Sequence, residues 1–310
     1  MSLKKSFFNA SFFKSNIKRF WWISVGYLVL FLTFGLLILI DSEVTDGFVG
    51  MNVAGIIGAL IVPVILFSYL NSSGAVSSIH AFPIKRRVLF VTNIKTLYFL
   101  LVMPAVICYT IAIFYSIFNS IFVVGELLEL FTLYIIFVTI CGASSTLASM
   151  VTGNSIAGCI FSALLFGFPY YTEAIVKSFL ALNINGLGDN FDVYTVENLS
   201  AYEINSFMGI CFILGILIFV LSWFLYKKRK LEANGDIIAH KFLKPVFIGC
   251  VSFYLGLLGY FYLGAIYENH LLFILPFGFL GFLVSFMLSK KAFSLKGILK
   301  PLLIFSLCEV

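Results

Sequence analysis

The residues best suited to specific chemistry lie in one hydrophilic stretch, SSIHAFPIKRRVLF, between two long apolar segments. It contains a histidine, a proline and three consecutive cations: His80, Pro83, Lys85, Arg86 and Arg87. Because the fixed φ of proline suits the first turn of a helix, PIKRRVLF predicts a short helix with its cations on one side. A positive topology signal would explain the cations, but neither the helix start nor His80. The residues alone therefore leave part of this stretch without an explanation.

The chain lacks the common signatures of enzymes and cofactor-binding proteins. It has no GxxxxGK[ST] phosphate loop and no HExxH, GxSxG or DxDxDG pattern. Its three histidines (His80, His240 and His270) fall in separate loops, which argues against a zinc site. Its six cysteines form no CxxC pair and lie in apolar segments, as expected of buried, unreactive thiols. We therefore expect a non-catalytic protein without a metal or other cofactor.

Composition places the chain among integral membrane proteins. Of its 310 residues, 61% are hydrophobic and only 11% are charged, and the mean hydropathy is +1.08. Soluble domains carry about a quarter charged residues. A compact water-facing domain of this composition would expose large apolar patches.

The apolar segments predict an all-α, polytopic bundle of about eight transmembrane helices, since one crossing needs about 20 apolar residues. The predicted spans are Phe20–Ile40, Phe48–Leu70, Leu97–Ile117, Leu127–Leu147, Ser155–Ile175, Phe207–Tyr226, Pro245–Gly264 and Leu271–Leu288. A last apolar piece, PLLIFSLCEV, is too short to cross. Residues 1–19 mix aromatics with cations and predict an amphipathic helix along the interface before the first span, or else a plain anchoring tail.

The cations predict an N-terminus in the cytoplasm of a multi-pass plasma-membrane protein. With that orientation every lysine and arginine except Lys177 falls in an inside segment. The net charge of +6 then matches an anionic inner leaflet. We expect the lipid bilayer, and no nucleic acid, to be its charged partner, because the cations are scattered over four span ends.

Two further segments have recognisable compositions. CGASSTLASMVTGNSIAGC, between spans four and five, is rich in small residues, which allow membrane helices to pack closely. Residues 176–206 form the largest outside segment, and EAIVKSFLAL (173–182), which overlaps its start, has helical spacing.

Several stretches resemble permease subunits of Gram-positive ATP-binding-cassette exporters of the second type. FFKSNIKRFWWISVGYLVLFL is similar to the start of that family, and MVTGNSIAG to its turn between spans four and five. SYLNSSGAVSSIHAFPIKRRVLFVTNI resembles the family's first cytoplasmic loop, with its H-x-[FL]-P-[IV]-[KS]-R pattern. LYKKRKLEANGDIIAHKFLKPVF resembles the loop after span six. Longer relatives continue past PLLIFSLCEV into a further span and an outer domain.

The resemblance implies a six-helix permease core at 20–226, followed by a cytoplasmic loop and two additional spans at 227–310. It implies a cytoplasmic ATPase partner, contacted through His80, Pro83, Lys85, Arg86 and Arg87, and a second permease chain, identical or related. The expected function is ATP-driven export of an amphipathic or envelope-active substrate.

Two other functions stay open at this stage. A membrane sensor or immunity protein could bind envelope-active compounds through its outer segment without transport. A secondary transporter is disfavoured, because the spans hold no charged residue near their centres and show no evident inverted repeat.

Overall fold

The structure, a computed structural model, describes residues 8–40, 44–81, 84–118, 124–167, 206–229, 238–239, 241–267 and 270–290. All regular secondary structure in these ranges is helical. The helices are α1 (Ala10–Ile40), α2 (Val44–Leu66), α3 (Ser73–Ala81), α4 (Arg86–Phe118), α5 (Val124–Val151), α6 (Ser155–Gly167), α7 (Ser206–Lys228), α8 (Lys244–Tyr267) and α9 (His270–Lys290). Short 3-10 helices occupy Ser68–Asn71 and Lys241–Leu243.

Three of these helices are long and apolar enough to cross a membrane: Arg86–Phe118, Val124–Val151 and Met208–Lys228. Together with the composition, they make the chain a helical membrane protein, as the sequence predicts. The prediction of about eight spans stays a prediction. Several predicted elements lie outside the described residues: 1–7, Pro83, nearly all of the outer segment 176–206, the loop residues 230–237 and the C-terminal segment 291–310.

Helix α5 is the central helix of the bundle and packs against α2, α4 and α7. Its second half, from Cys141 to Val151, is buried on almost every side and consists mostly of alanine, serine, threonine and glycine. Ser145 Oγ donates to the carbonyl oxygen of Leu60 over 2.6 Å, a contact that only closely spaced helices allow. The prediction that this small-residue segment packs helices together is confirmed.

Helix α1 runs unbroken from Ala10 to Ile40, across the boundary predicted between residues 1–19 and the first span. That its first turns lie along the membrane interface stays a prediction. The short helix of the first loop is α3, because Ser72 caps it: Ser72 Oγ accepts from Ala75 N over 3.2 Å. The prediction of a separate short helix in PIKRRVLF is wrong for its described part: Ile84 and Lys85 are not helical, and Arg86 to Phe90 are the first turns of the 33-residue α4.

One end of the bundle gathers the cations of α1, α4 and α7, and we call it the cationic end. Helices α2, α5 and α7 finish there, while α1, α4 and α6 begin there. Hydrogen bonds join these ends in pairs: Asn9 with Thr92 (3.5 Å), Asn71 with Ser155 (2.9 Å) and Arg86 with Arg229 (3.2 Å). Among the acidic side chains that the structure describes, Glu126 and Glu129 lie at the start of α5. A rise of 1.5 Å per residue places them roughly 35 Å from the cationic end.

Helices α8 and α9 form a closely packed hairpin. Ser252 Oγ donates to the carbonyl oxygen of Gly278 over 2.7 Å. A Cβ atom added at Gly281 would lie 2.9 Å from Ser252 Cα, so glycine is what permits this approach. The hairpin meets the rest of the bundle through α6, where Tyr254 donates to the carbonyl oxygen of Leu164 over 2.7 Å.

Candidate functional site

Arg229 makes four side-chain hydrogen bonds at the cationic end. It follows directly after α7 and is only 3% exposed. Its Nη1 donates to the carbonyl oxygens of Ser149 (2.6 Å) and Met150 (3.3 Å). Its Nη2 donates to the carbonyl oxygen of Leu70 (3.2 Å) and to Asn71 Oδ1 (3.3 Å). One side chain therefore binds the end of α5 and the end of the 3-10 helix that follows α2.

The chemistry of a helix end explains why an arginine is found here. The last carbonyl groups of a helix have no partner within it, and they carry the negative end of the helix dipole. A planar guanidinium offers several donors in fixed directions and so can serve two helix ends at once. Burial lowers the pKa of Arg229 to about 10, so the group keeps its charge at pH 7.

Arg86 makes the matching contact with the end of α7. It is partly buried, and its Nη1 donates to the carbonyl oxygens of Arg229 (3.2 Å) and Lys227 (3.4 Å). The first turn of α4 is thereby attached to the last turn of α7. We call Arg86, Arg229 and the groups that they bond the arginine junction.

Side chains near the junction extend it to other elements. Asn71, which accepts from Arg229, donates through Nδ2 to Ser155 Oγ at the start of α6. The backbone N–H of Ala239 donates to the carbonyl oxygen of Val151 over 2.7 Å. The junction therefore connects the 3-10 helix that follows α2 with the ends of four helices, namely α4, α5, α6 and α7.

An aromatic cluster lies against the junction. Phe67, Phe90 and Tyr226 are buried, with ring centroids 5.6–6.3 Å apart. The hydroxyl oxygens of Tyr69 and Tyr226 lie 3.0 Å apart. Because these rings come from the end of α2, the start of α4 and the end of α7, they join the same helix ends through apolar contact.

The five residues predicted as a contact surface do not share one environment. Lys85 is exposed, and its carbonyl oxygen accepts the first backbone hydrogen bonds of α4. Arg87 is exposed, and its guanidinium carbon lies 5.5 Å from the centroid of the Trp223 ring. Arg86 belongs to the arginine junction. His80 is in the last turn of α3, and Pro83 lies outside the described residues.

Sequence reasoning missed the role of Arg229. It stands in the run LYKKRK, where four consecutive cations give the same topology signal whether exposed or buried. Lys227 and Lys228 are exposed while Arg229 is buried, and that difference depends on contacts with α5. No pattern in the sequence distinguishes it.

A cavity of about 380 Å³ lies beside the arginine junction at the cationic end. Three elements line it: the first three turns of α1, the end of α2 with its 3-10 helix, and α3 with Ile84. Metal-binding chemistry is not evident in the described part of the chain, where no three His, Cys, Asp or Glu side chains group together.

Comparison of the chain with protein-family models, with curated proteins and with solved structures finds no match.

Proposed function

We propose that the chain is the membrane-spanning permease subunit of an ATP-driven exporter for an amphipathic or envelope-active substrate. In this proposal a cytoplasmic ATPase supplies the energy and a second permease chain completes the pathway. The chain crosses the plasma membrane about eight times, with its N-terminus in the cytoplasm. The observation that carries the proposal is the arginine junction, which ties the Lys85–Arg87 segment to the ends of the membrane helices.

The junction offers a way for a push on one loop to reach the whole bundle. Exposed Lys85 and the exposed face of α3 supply a contact surface at the cationic end. Arg86, next in the chain, is bonded to the end of α7, and Arg229 bonds α5 and the segment after α2. Displacement of the loop by an ATPase would thus move several helix ends together. Small shifts are transmitted in this way when the contacts form a continuous packed network.

Association with an ATPase tests the proposal most directly. The tagged full chain is purified in mild detergent from its native host, and the co-eluting proteins are identified. We expect a stoichiometric ATPase that is lost with Lys85→Glu and retained with Lys14→Glu, an exposed cation on α1. Arg86→Glu is unsuitable here, because it would also break the junction.

If no ATPase co-elutes under any of the salt and nucleotide conditions, the proposal of an ATP-driven exporter is wrong. An ATPase that turns over in the complex without moving substrate would favour the sensor or immunity function instead.

The proposed orientation has its own test. In a cysteine-free background, Gly125→Cys and Lys228→Cys place thiols at opposite ends of the bundle, both at exposed positions. A membrane-impermeant maleimide should label Gly125→Cys on intact cells and Lys228→Cys only after permeabilisation. The reverse pattern would contradict a cytoplasmic cationic end.

A further inference from the structure

The cavity beside the arginine junction has the composition of a site for an anionic amphiphile. We infer that it binds the phosphate headgroup of one anionic membrane lipid, held between the start of α1 and the α2–α3 connection. The inference needs neither an ATPase nor a second permease chain, but it rests on the cytoplasmic position proposed above for the cationic end.

Helix α1 contributes the polar wall of the cavity. Ser11, Ser15 and Arg19 all line it and recur every four residues, which places them in one row along the helix. Two hydroxyl groups and a guanidinium in such a row can donate to several oxygens of one phosphate group. Asn16 lines the cavity in the next row, and its Nδ2 donates to Asn93 Oδ1 over 2.8 Å, which fixes this wall to α4.

The opposite wall is mainly apolar. Ile65 and Leu66 come from the end of α2, Ile79 from α3, and Ile84 from the residues just before α4. A free inorganic anion gains little from such a wall, whereas the glycerol and the first methylenes of a lipid bury apolar area against it. A volume of about 380 Å³ falls in the usual range of ligand sites. It suits a headgroup, with the acyl chains remaining in the bilayer.

Charge favours an anion in this cavity. Arg19 is the one charged side chain among the described residues that line it. The described acidic side chains, Glu126 and Glu129, lie at the other end of α5. Basic pockets between membrane helices on the cytoplasmic side are the usual sites for anionic headgroups.

The depth of the cavity matches that of a lipid headgroup. Trp21 and Trp22, two and three residues after Arg19, are 57% and 56% exposed. Exposed tryptophans at a span end are typical of the membrane–water interface. The guanidinium carbon of Arg19 lies 5.1 Å from the centroid of the Phe20 ring, which also lines the cavity. The cation therefore stands at the level where phosphates of the leaflet would be found.

The test measures which lipid the full chain retains. The protein is reconstituted in nanodiscs with equal amounts of phosphatidylglycerol and phosphatidylcholine, then released and analysed by native mass spectrometry. We expect one retained phosphatidylglycerol, and about a fivefold loss of its retention with Arg19→Gln. Lys18→Gln is the matched control, because Lys18 is an exposed cation of the same turn that does not line the cavity. It should leave retention unchanged.

A second variant tests the cavity apart from the charge. Ser15→Leu fills the space while keeping Arg19, and should also reduce retention. Equal loss with Lys18→Gln and Arg19→Gln, or retention unaffected by Ser15→Leu, would overturn the site in favour of general surface attraction. In detergent without lipid, inorganic phosphate should give no Arg19-dependent increase in thermal stability. Such an increase would assign the cavity to a soluble phosphate and overturn the lipid.

Discussion

Arg229 donates a 2.6 Å hydrogen bond to the carbonyl oxygen of Ser149, a residue 80 positions earlier in the chain. The bond joins the end of α7 to the end of α5, and the same guanidinium continues to Leu70 and Asn71. A single buried cation thus supplies hydrogen-bond donors to the ends of two other chain segments, α5 and the 3-10 helix that follows α2.

Removal of this cation should destabilise the bundle more than removal of its neighbours. Arg229→Met leaves the carbonyl groups of Ser149, Met150 and Leu70 without their donor and should cost about 3 kcal/mol. Arg229→Lys keeps the charge but not the planar fork, and should give an intermediate loss. Denaturant unfolding in mixed micelles measures both variants.

The matched control is Lys228→Met, which alters an exposed cation one residue away and should change stability by less than about 0.5 kcal/mol. If Arg229→Lys proves as stable as the native chain, then the positive charge at residue 229, and not the planar guanidinium, accounts for the stability that the junction contributes. Because Arg229 is protonated in both the folded and unfolded chain, it should add no pH dependence of stability between pH 6 and 8.

The hydroxyl groups of Tyr69 and Tyr226 should be energetically coupled. Each single change to phenylalanine leaves the other buried hydroxyl without its partner at 3.0 Å. The double variant removes both, so it should lose less than the sum of the two singles, with a coupling of about 1 kcal/mol. Strict additivity in the double-mutant cycle would mean that the two hydroxyls do not interact.

Asn16 and Asn93 make a second pair whose removal should be better tolerated together than singly. Their side chains are buried and joined by a 2.8 Å hydrogen bond, while Asn93 Nδ2 has no partner among the described residues. Asn16→Leu should cost about 1 kcal/mol. Asn16→Leu with Asn93→Leu should recover part of that loss, since no buried amide is then left unpaired. Thermal unfolding of the native chain, of Asn16→Leu, of Asn93→Leu and of the double variant would detect the recovery, and a further loss in the double variant would contradict it.

Two glycines of α8 and α9 should respond to alanine with opposite signs. At Gly249 an added Cβ meets nothing within 4 Å, so Gly249→Ala should stabilise by up to about 1 kcal/mol through helix propensity. At Gly281 it would lie 3.0 Å from the carbonyl oxygen of Val251, so Gly281→Ala should destabilise by about 1–3 kcal/mol. Similar unfolding midpoints for the two variants would mean that α8 and α9 can move apart to accommodate the added methyl group at little cost.

The all-helical class of the fold and the positions of its long helices could be predicted from the sequence, because both depend on the length of the apolar segments. The predicted span Phe207–Tyr226, for example, corresponds to α7 at Ser206–Lys228. The bounds of α3 were not predicted, because Pro83 indicated a helix start after it, whereas the helix in this loop begins earlier and is capped by Ser72. The arginine junction could not be predicted, since the identity of the buried cation depends on where α5 and α7 end relative to each other.

The position of Arg229 in the chain also has a consequence for biogenesis. During synthesis α2, α4 and α5 enter the membrane well before residue 229 is made. The carbonyl groups at the ends of α5 and of the Ser68–Asn71 segment therefore lack the Arg229 donor at that stage. Until α7 has been inserted and its trailing arginine has reached them, these ends depend on water or lipid headgroups. The arginine junction thus forms only after α7 has been inserted, and a nascent chain halted before Arg229 would be the form most exposed to membrane quality control.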